Sequence, residues 1–116
     1  MSKFSKLKKE AWVYYQTWMK EHTVCKALNK EVIVSRKGWD HIFSGSHTKK
    51  RNIRDKINRL SLLKAAKYTL KSSSNYELTT RNNQKYVGIK GDVYVVLKYD
   101  SKNQLHFHSV YKTNKK

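Results

Sequence analysis

The sequence predicts an α+β fold, with N-terminal helices packed on one face of a twisted antiparallel sheet of about four strands. Three observations carry that expectation. Apolar residues recur every three or four positions ahead of residue 72 and every two positions after residue 74. The later runs are separated by short turn formers, which join antiparallel neighbours. Helices gathered before strands, rather than alternating with them, place the helices on one face of the sheet. The 116 residues amount to about one domain, 1–116, with a helical segment 1–30 ahead of a core 31–112. A chain of this size buries roughly two thirds of the surface that its unfolded form exposes.

Taken in order, Phe4, Leu7, Ala11, Tyr14, Tyr15, Trp18, Cys25 and Leu28 follow helical spacing, so residues 4–28 read as an amphipathic helix. Its weak point lies near His22, Thr23 and Val24, where β-branched side chains lower helix propensity. Residues 31–34 read as a short strand, and residues 39–43 as a short helix ended by Ser44, Gly45 and Ser46. Ile53, Ile57, Leu60 and Leu63 share a helical face, and Asp55 sits four residues before Arg59, the favourable order for a helix pair. Strands are expected at 76–80, 86–90, 92–99 and 104–112, with turns at Asn82-Asn83, Gly91-Asp92 and residues 100–103. Residues 68–71 are a further short strand candidate.

Charge narrows the function. Lys and Arg number 26 against 8 Asp and Glu, for a net charge of +18, far beyond the magnitude of about 2–8 usual for a small soluble domain. Such self-repulsion is tolerated best when an anionic partner neutralises it. Between Ser46 and Lys71, nine basic residues face Asp55 alone, so that segment presents a strongly cationic surface. Cys25 is the sole cysteine, which rules out an intramolecular disulfide and suits a reducing compartment. No stretch has a leader's apolar run or the length to span a bilayer, so a cytoplasmic site of action is expected.

The histidines sharpen the reading. In the last strand Leu105, Phe107, Ser109 and Tyr111 alternate with Gln104, His106, His108, Val110 and Lys112, and apolar content assigns the first set to the core. The other face then carries Tyr94, Lys98, His106 and His108, while His41 and His47 lie six residues apart in the middle of the chain. Cleaving RNA without metal needs a base for the 2′-hydroxyl proton, an acid for the leaving 5′-oxygen, and cations for the phosphorane charge. Histidine fills either proton-transfer role near neutrality, and Lys and Arg fill the last. The 8 acids are scattered, with no close pair of the kind a two-metal nuclease uses. Neither a metal nor a cofactor is expected. Lys49, Lys50, Arg51, Lys98 and His106 are expected to meet RNA phosphates.

A strand, a histidine opening a short helix (Trp39-Asp40-His41-Ile42), a second histidine (His47), a helix over 53–63 and a meander ending in Ser109-Val110-Tyr111 together resemble a known superfamily. It gathers barnase, EndoU, colicin D and RelE-type toxins, and the likeness over residues 31–112 is strongest to its phage- and mobile-element-associated branches. The resemblance implies metal-independent RNA cleavage leaving a 2′,3′-cyclic phosphate, with transfer RNA among the candidate substrates. It implies an acid–base role for His41 and cleft positions for Ser109 and Tyr111. It also implies phosphate neutralisation by Lys37 or Arg36, since Asp40 stands where those relatives carry a lysine. An acidic immunity or antitoxin protein is the expected protein partner. Residue alternation instead favours His106 and His108 in the cleft, and a β-bulge shifting the register by one would reconcile the two. The alternative function is a non-catalytic basic module binding RNA or DNA, which needs only the cations and rings.

Overall fold

In the computed structural model, which describes residues 3–46, 49–50 and 53–112, the N-terminal stripe forms α1 (Lys3–Met19). Ala11, Tyr15 and Trp18 turn its buried side inward. The helix stops well short of residue 28. The amides of Lys20 and Glu21 bond back to the carbonyls of Thr17 and Trp18, both at 3.1 Å, and Trp18 Nε1 then donates to the buried Thr23 Oγ1 at 2.8 Å. That bond starts β1 (Thr23–Cys25), where the β-branched residues suit an extended chain better than a helix. Asn29, at φ 52°, turns the chain into β2 (Lys30–Ile33). The boundary expected near residue 30 therefore falls inside a paired hairpin.

Next comes α2 (Arg36–Ser44), then a small hairpin of β3 (Gly45–Ser46) and β4 (Lys49–Lys50). After it come α3 (Ile53–Ser61) and α4 (Leu63–Ser72). Residues 68–71, a strand candidate from composition, belong to α4. Leu63, Ala66 and Leu70 continue the helical period into the core, and packing against a sheet overrides the β preference of Tyr68 and Thr69. The meander of β5 (Asn75–Arg81), β6 (Gln84–Lys90), β7 (Val93–Tyr99) and β8 (Leu105–Lys112) follows.

The fold is α+β, but the main sheet has six strands in the order β1-β2-β8-β7-β6-β5, not about four. It is mixed rather than antiparallel, because β2 runs parallel to β8, with Val32 opposite Leu105 and Ile33 opposite His106. The meander was visible in the turn residues. The pairing of β2 with the far end of the chain is a long-range contact that no local pattern encodes.

One face of the sheet is the core. Val87, Ile89, Val93, Val95, Leu97, Leu105, Phe107 and Val110 are all buried there. Trp18 and Tyr15 of α1 close on Phe107, with ring centroids 4.9 and 6.2 Å away, and α4 packs on β7 and β6. On the opposite face Tyr86, Lys90, Tyr94, Val96 and Lys98 are only partly covered or exposed.

Candidate active site

Two local features shape the site. The first is a bulge in β8. Leu97 pairs with Phe107 but its neighbour Val96 pairs with Ser109, so His108 is the extra residue. Register slips by one there. Before the bulge, Leu105 and Phe107 face the core; after it, Val110 does. Strict alternation puts Ser109 and Tyr111 in the core and Val110 outside it; with the bulge Val110 is buried and Tyr111 exposed, while Ser109 stays buried.

The second feature is the seating of α2 against the free side of β8. Past His106 that strand has lost β2 as a neighbour, and α2 lies alongside it. Gly38 allows the approach, since a Cβ there would sit 2.6 Å from the Tyr15 hydroxyl and 2.7 Å from the Phe107 carbonyl. Tyr15 in turn donates its hydroxyl to the Ser35 carbonyl at 2.6 Å, fixing the entry to α2. Burial pushes the Tyr15 phenol well above its ordinary pKa, which keeps it a neutral donor.

Consequently His41, on α2, meets His108 at the bulge, with ring centroids 3.8 Å apart and planes inclined at 31°. Tyr86 of β6 abuts His108 edge-on at 5.5 Å, and the Lys98 ammonium lies 5.9 Å from the Tyr86 ring. His106 points its Nε2 at Asp100 Oδ2, 2.7 Å away. Asp100 Oδ1 accepts from the amides of Lys102 and Gln104 at 2.8 and 2.9 Å. The Gln104 amide first, then His106, and after them the Lys102 amide hold the Asp100 carboxyl below the usual aspartate value. A carboxylate can only accept, so this contact has His106 donating from Nε2–H and leaves Nδ1 as the ring's other nitrogen.

The three histidines, Lys98 and Asp100 line one open cleft of about 370 Å³, bounded by Lys37 and His41 on α2, by Lys98, His106 and His108 on the sheet and by Asp100 in the turn between β7 and β8. Gln84, the first residue of β6, also lines it. Asp100 is the one carboxylate among the described lining residues, and its oxygens are committed to His106 and two amides. Among the described residues no three His, Cys, Asp or Glu side chains gather as metal ligands.

Of the residues singled out from sequence, His41, His106, His108, Lys37 and Lys98 come together in this cleft. Ser109 does not join them. It is buried, and its Oγ accepts from Arg59 Nη1, which also reaches the Val110 carbonyl at 3.4 Å. Tyr111 lies beyond the cleft, stacked on Tyr94. Arg36 stays outside the lining, 3.7 Å from Asp40 and 5.3 Å from the Trp12 ring. For Lys49 and Lys50 the described feature is the backbone hairpin, and His47 and Arg51 fall outside the described residues. Sequence reasoning missed Asp100, which resembled any turn aspartate, and Tyr86, whose link to His108 depends on the bulge.

No family model matches this chain, and no match was found among curated proteins or solved structures. No described helix is long and apolar enough to cross a membrane.

Proposed function

We propose that the chain is a metal-independent endoribonuclease that cleaves RNA by attack of a 2′-hydroxyl on the adjacent phosphate. The observation that carries this reading is the convergence of three imidazoles and two lysines in one open cleft of a protein with net charge +18.

The geometry suggests a division of labour. An in-line displacement needs its base and acid on opposite sides of phosphorus, each within about 3 Å of the oxygen it serves. Two rings with centroids 3.8 Å apart cannot flank a phosphate, so His41 and His108 act at one end as a single proton-transfer unit. His106 serves the other end. It lies two residues from His108, a span of roughly 7 Å along a strand, although the bulge alters its direction. One end takes the 2′-hydroxyl proton as the 2′-oxygen bonds to phosphorus. The phosphorus to 5′-oxygen bond breaks, and the other end protonates that oxygen. The products are a 2′,3′-cyclic phosphate and a 5′-hydroxyl. Lys37 and Lys98 supply positive charge for the phosphorane, a stabilisation strengthened where water is displaced.

The toxin-like character and the acidic inhibitor implied by the resemblance belong to the same proposal, because a +18 chain offers an acidic protein broad electrostatic complementarity. Transfer RNA or total RNA incubated with the protein in EDTA tests the reading. Discrete cleavage that disappears in both His41→Ala and His108→Ala supports it. RNA left intact but bound with steep salt dependence would favour the non-catalytic binding module.

A further inference from the structure

The outer face of the sheet carries a feature that the cleft chemistry leaves unused. Tyr94 and Tyr111 stand opposite each other on β7 and β8, with ring centroids 5.0 Å apart and planes inclined at only 25°. Tyr111 is 41% exposed, yet the pair is held in place. Tyr94 donates its hydroxyl to Glu77 Oε1 at 2.6 Å. Its ring reaches across Gly88, where a Cβ would overlap the phenol, so only glycine lets it extend to β5. The Arg59 guanidinium lies 5.5 Å from the Tyr111 ring.

The surroundings are cationic. Lys90 approaches Glu77 Oε2 at 3.4 Å, offsetting the charge of that acid. The patch also connects with the cleft. Arg59 bonds to Ser109 and Val110 immediately after His108, and Tyr111 follows His108 by about 10 Å of strand. Rings fixed in parallel before any ligand arrives are preorganised for stacking, since little side-chain freedom remains to be lost on binding.

We propose that this face binds unpaired RNA, with a nucleobase flanking the scissile phosphate stacking on the Tyr94–Tyr111 pair while Arg59, Lys90 and Lys98 draw in the backbone. Single-stranded RNA fits because its bases can be splayed onto aromatic rings, whereas bases inside a duplex have both faces occupied. The assignment of the flanked phosphate rests on the ribonuclease reading; the binding itself does not.

The test uses a 2′-O-methyl RNA of about eight nucleotides, within the span usual for such surfaces, which lacks the attacking hydroxyl. Fluorescence anisotropy compares the single strand with its annealed duplex. The single strand should bind the more tightly, Tyr111→Leu should weaken that binding roughly 5- to 100-fold, and Tyr111→Phe, which keeps the ring, should restore it. Circular dichroism confirms that each variant is folded. Equal affinity for strand and duplex overturns the proposal. So does a Tyr111→Leu variant within twofold of the parent, which would assign the tyrosines to some other partner, such as an acidic protein. Ring-dependent binding by a protein that leaves unmodified RNA intact would refute the ribonuclease and keep the track.

Discussion

The imidazole rings of His41 and His108 lie 3.8 Å apart between centroids, tilted by 31°, although they come from a helix in the middle of the chain and a bulge near its end. The contact exists because Gly38 lets α2 lie against β8 and because the bulge makes His108 the extra residue of that strand. Two positive charges so close repel, so the pair should take up protons in two separate steps. An NMR titration of the two rings checks this. Removing either ring should lower cleavage about 10²–10⁴-fold. The double variant should lose little more than the worse single one, since groups acting as a unit are not additive.

Ser109 and His108 are adjacent in sequence but differ in role. Ser109 accepts from Arg59 and is buried, so Ser109→Ala should remove an anchor of the bulge and lower stability by about 1–3 kcal/mol. Its effect on cleavage should stay below about tenfold, well short of the loss in His108→Ala. Comparing the two rates alongside thermal melts checks the assignment. A larger loss of activity in Ser109→Ala would return that hydroxyl to the reacting groups.

Asp100 gives the fold a pH dependence of known sign. Its carboxyl lies below the ordinary value because the Gln104 amide, His106 and the Lys102 amide favour the charged form. The folded chain therefore binds fewer protons there than the unfolded chain across the acid range. The resulting stability is fully present above about pH 5 and fades as the pH falls through the depressed value. The difference in Tm between the parent and Asp100→Asn should thus be largest near neutrality and close in acid. Activity should also fall in Asp100→Asn, with an altered pH profile, because His106 no longer faces a carboxylate.

Gly38→Ala tests the seating of α2. The added methyl would meet the Tyr15 hydroxyl at 2.6 Å and the Phe107 carbonyl at 2.7 Å, neither of which can withdraw freely. Stability should drop by about 1–3 kcal/mol, and His41 should move off His108, so cleavage should fall even at temperatures where the variant remains folded. Thermal denaturation and rate measurements below the transition separate the two effects.

Much of this was legible in the sequence, and the illegible parts share a cause. Helical spacing from Leu7 to Trp18 and the turn formers Asn82, Asn83 and Gly91 are local signals, and they located α1 and the meander. The polar alternates Lys98, His106 and His108 marked the sheet face that carries the cleft. By contrast, Cys25 and Leu28 fell on the helical stripe by coincidence of spacing, which concealed β1. The parallel pairing of β2 with β8 depends on residues some seventy positions apart. The sequence offered a β-bulge as one way to reconcile two readings of the last strand, but no local pattern placed it at His108. A one-residue slip leaves composition unchanged while exchanging which side chains face the core, so alternation alone misassigned Val110 and Tyr111. Asp100 looked like a turn former and is one, yet the same carboxylate also orients His106.

The most direct test of the central claim is end-group analysis of RNA treated in EDTA with the parent protein and with His41→Ala. The account predicts 2′,3′-cyclic phosphate and 5′-hydroxyl ends from the parent and none above background from the variant. Ends bearing 5′-phosphate and 3′-hydroxyl, or cyclic ends produced equally well without His41, would contradict it.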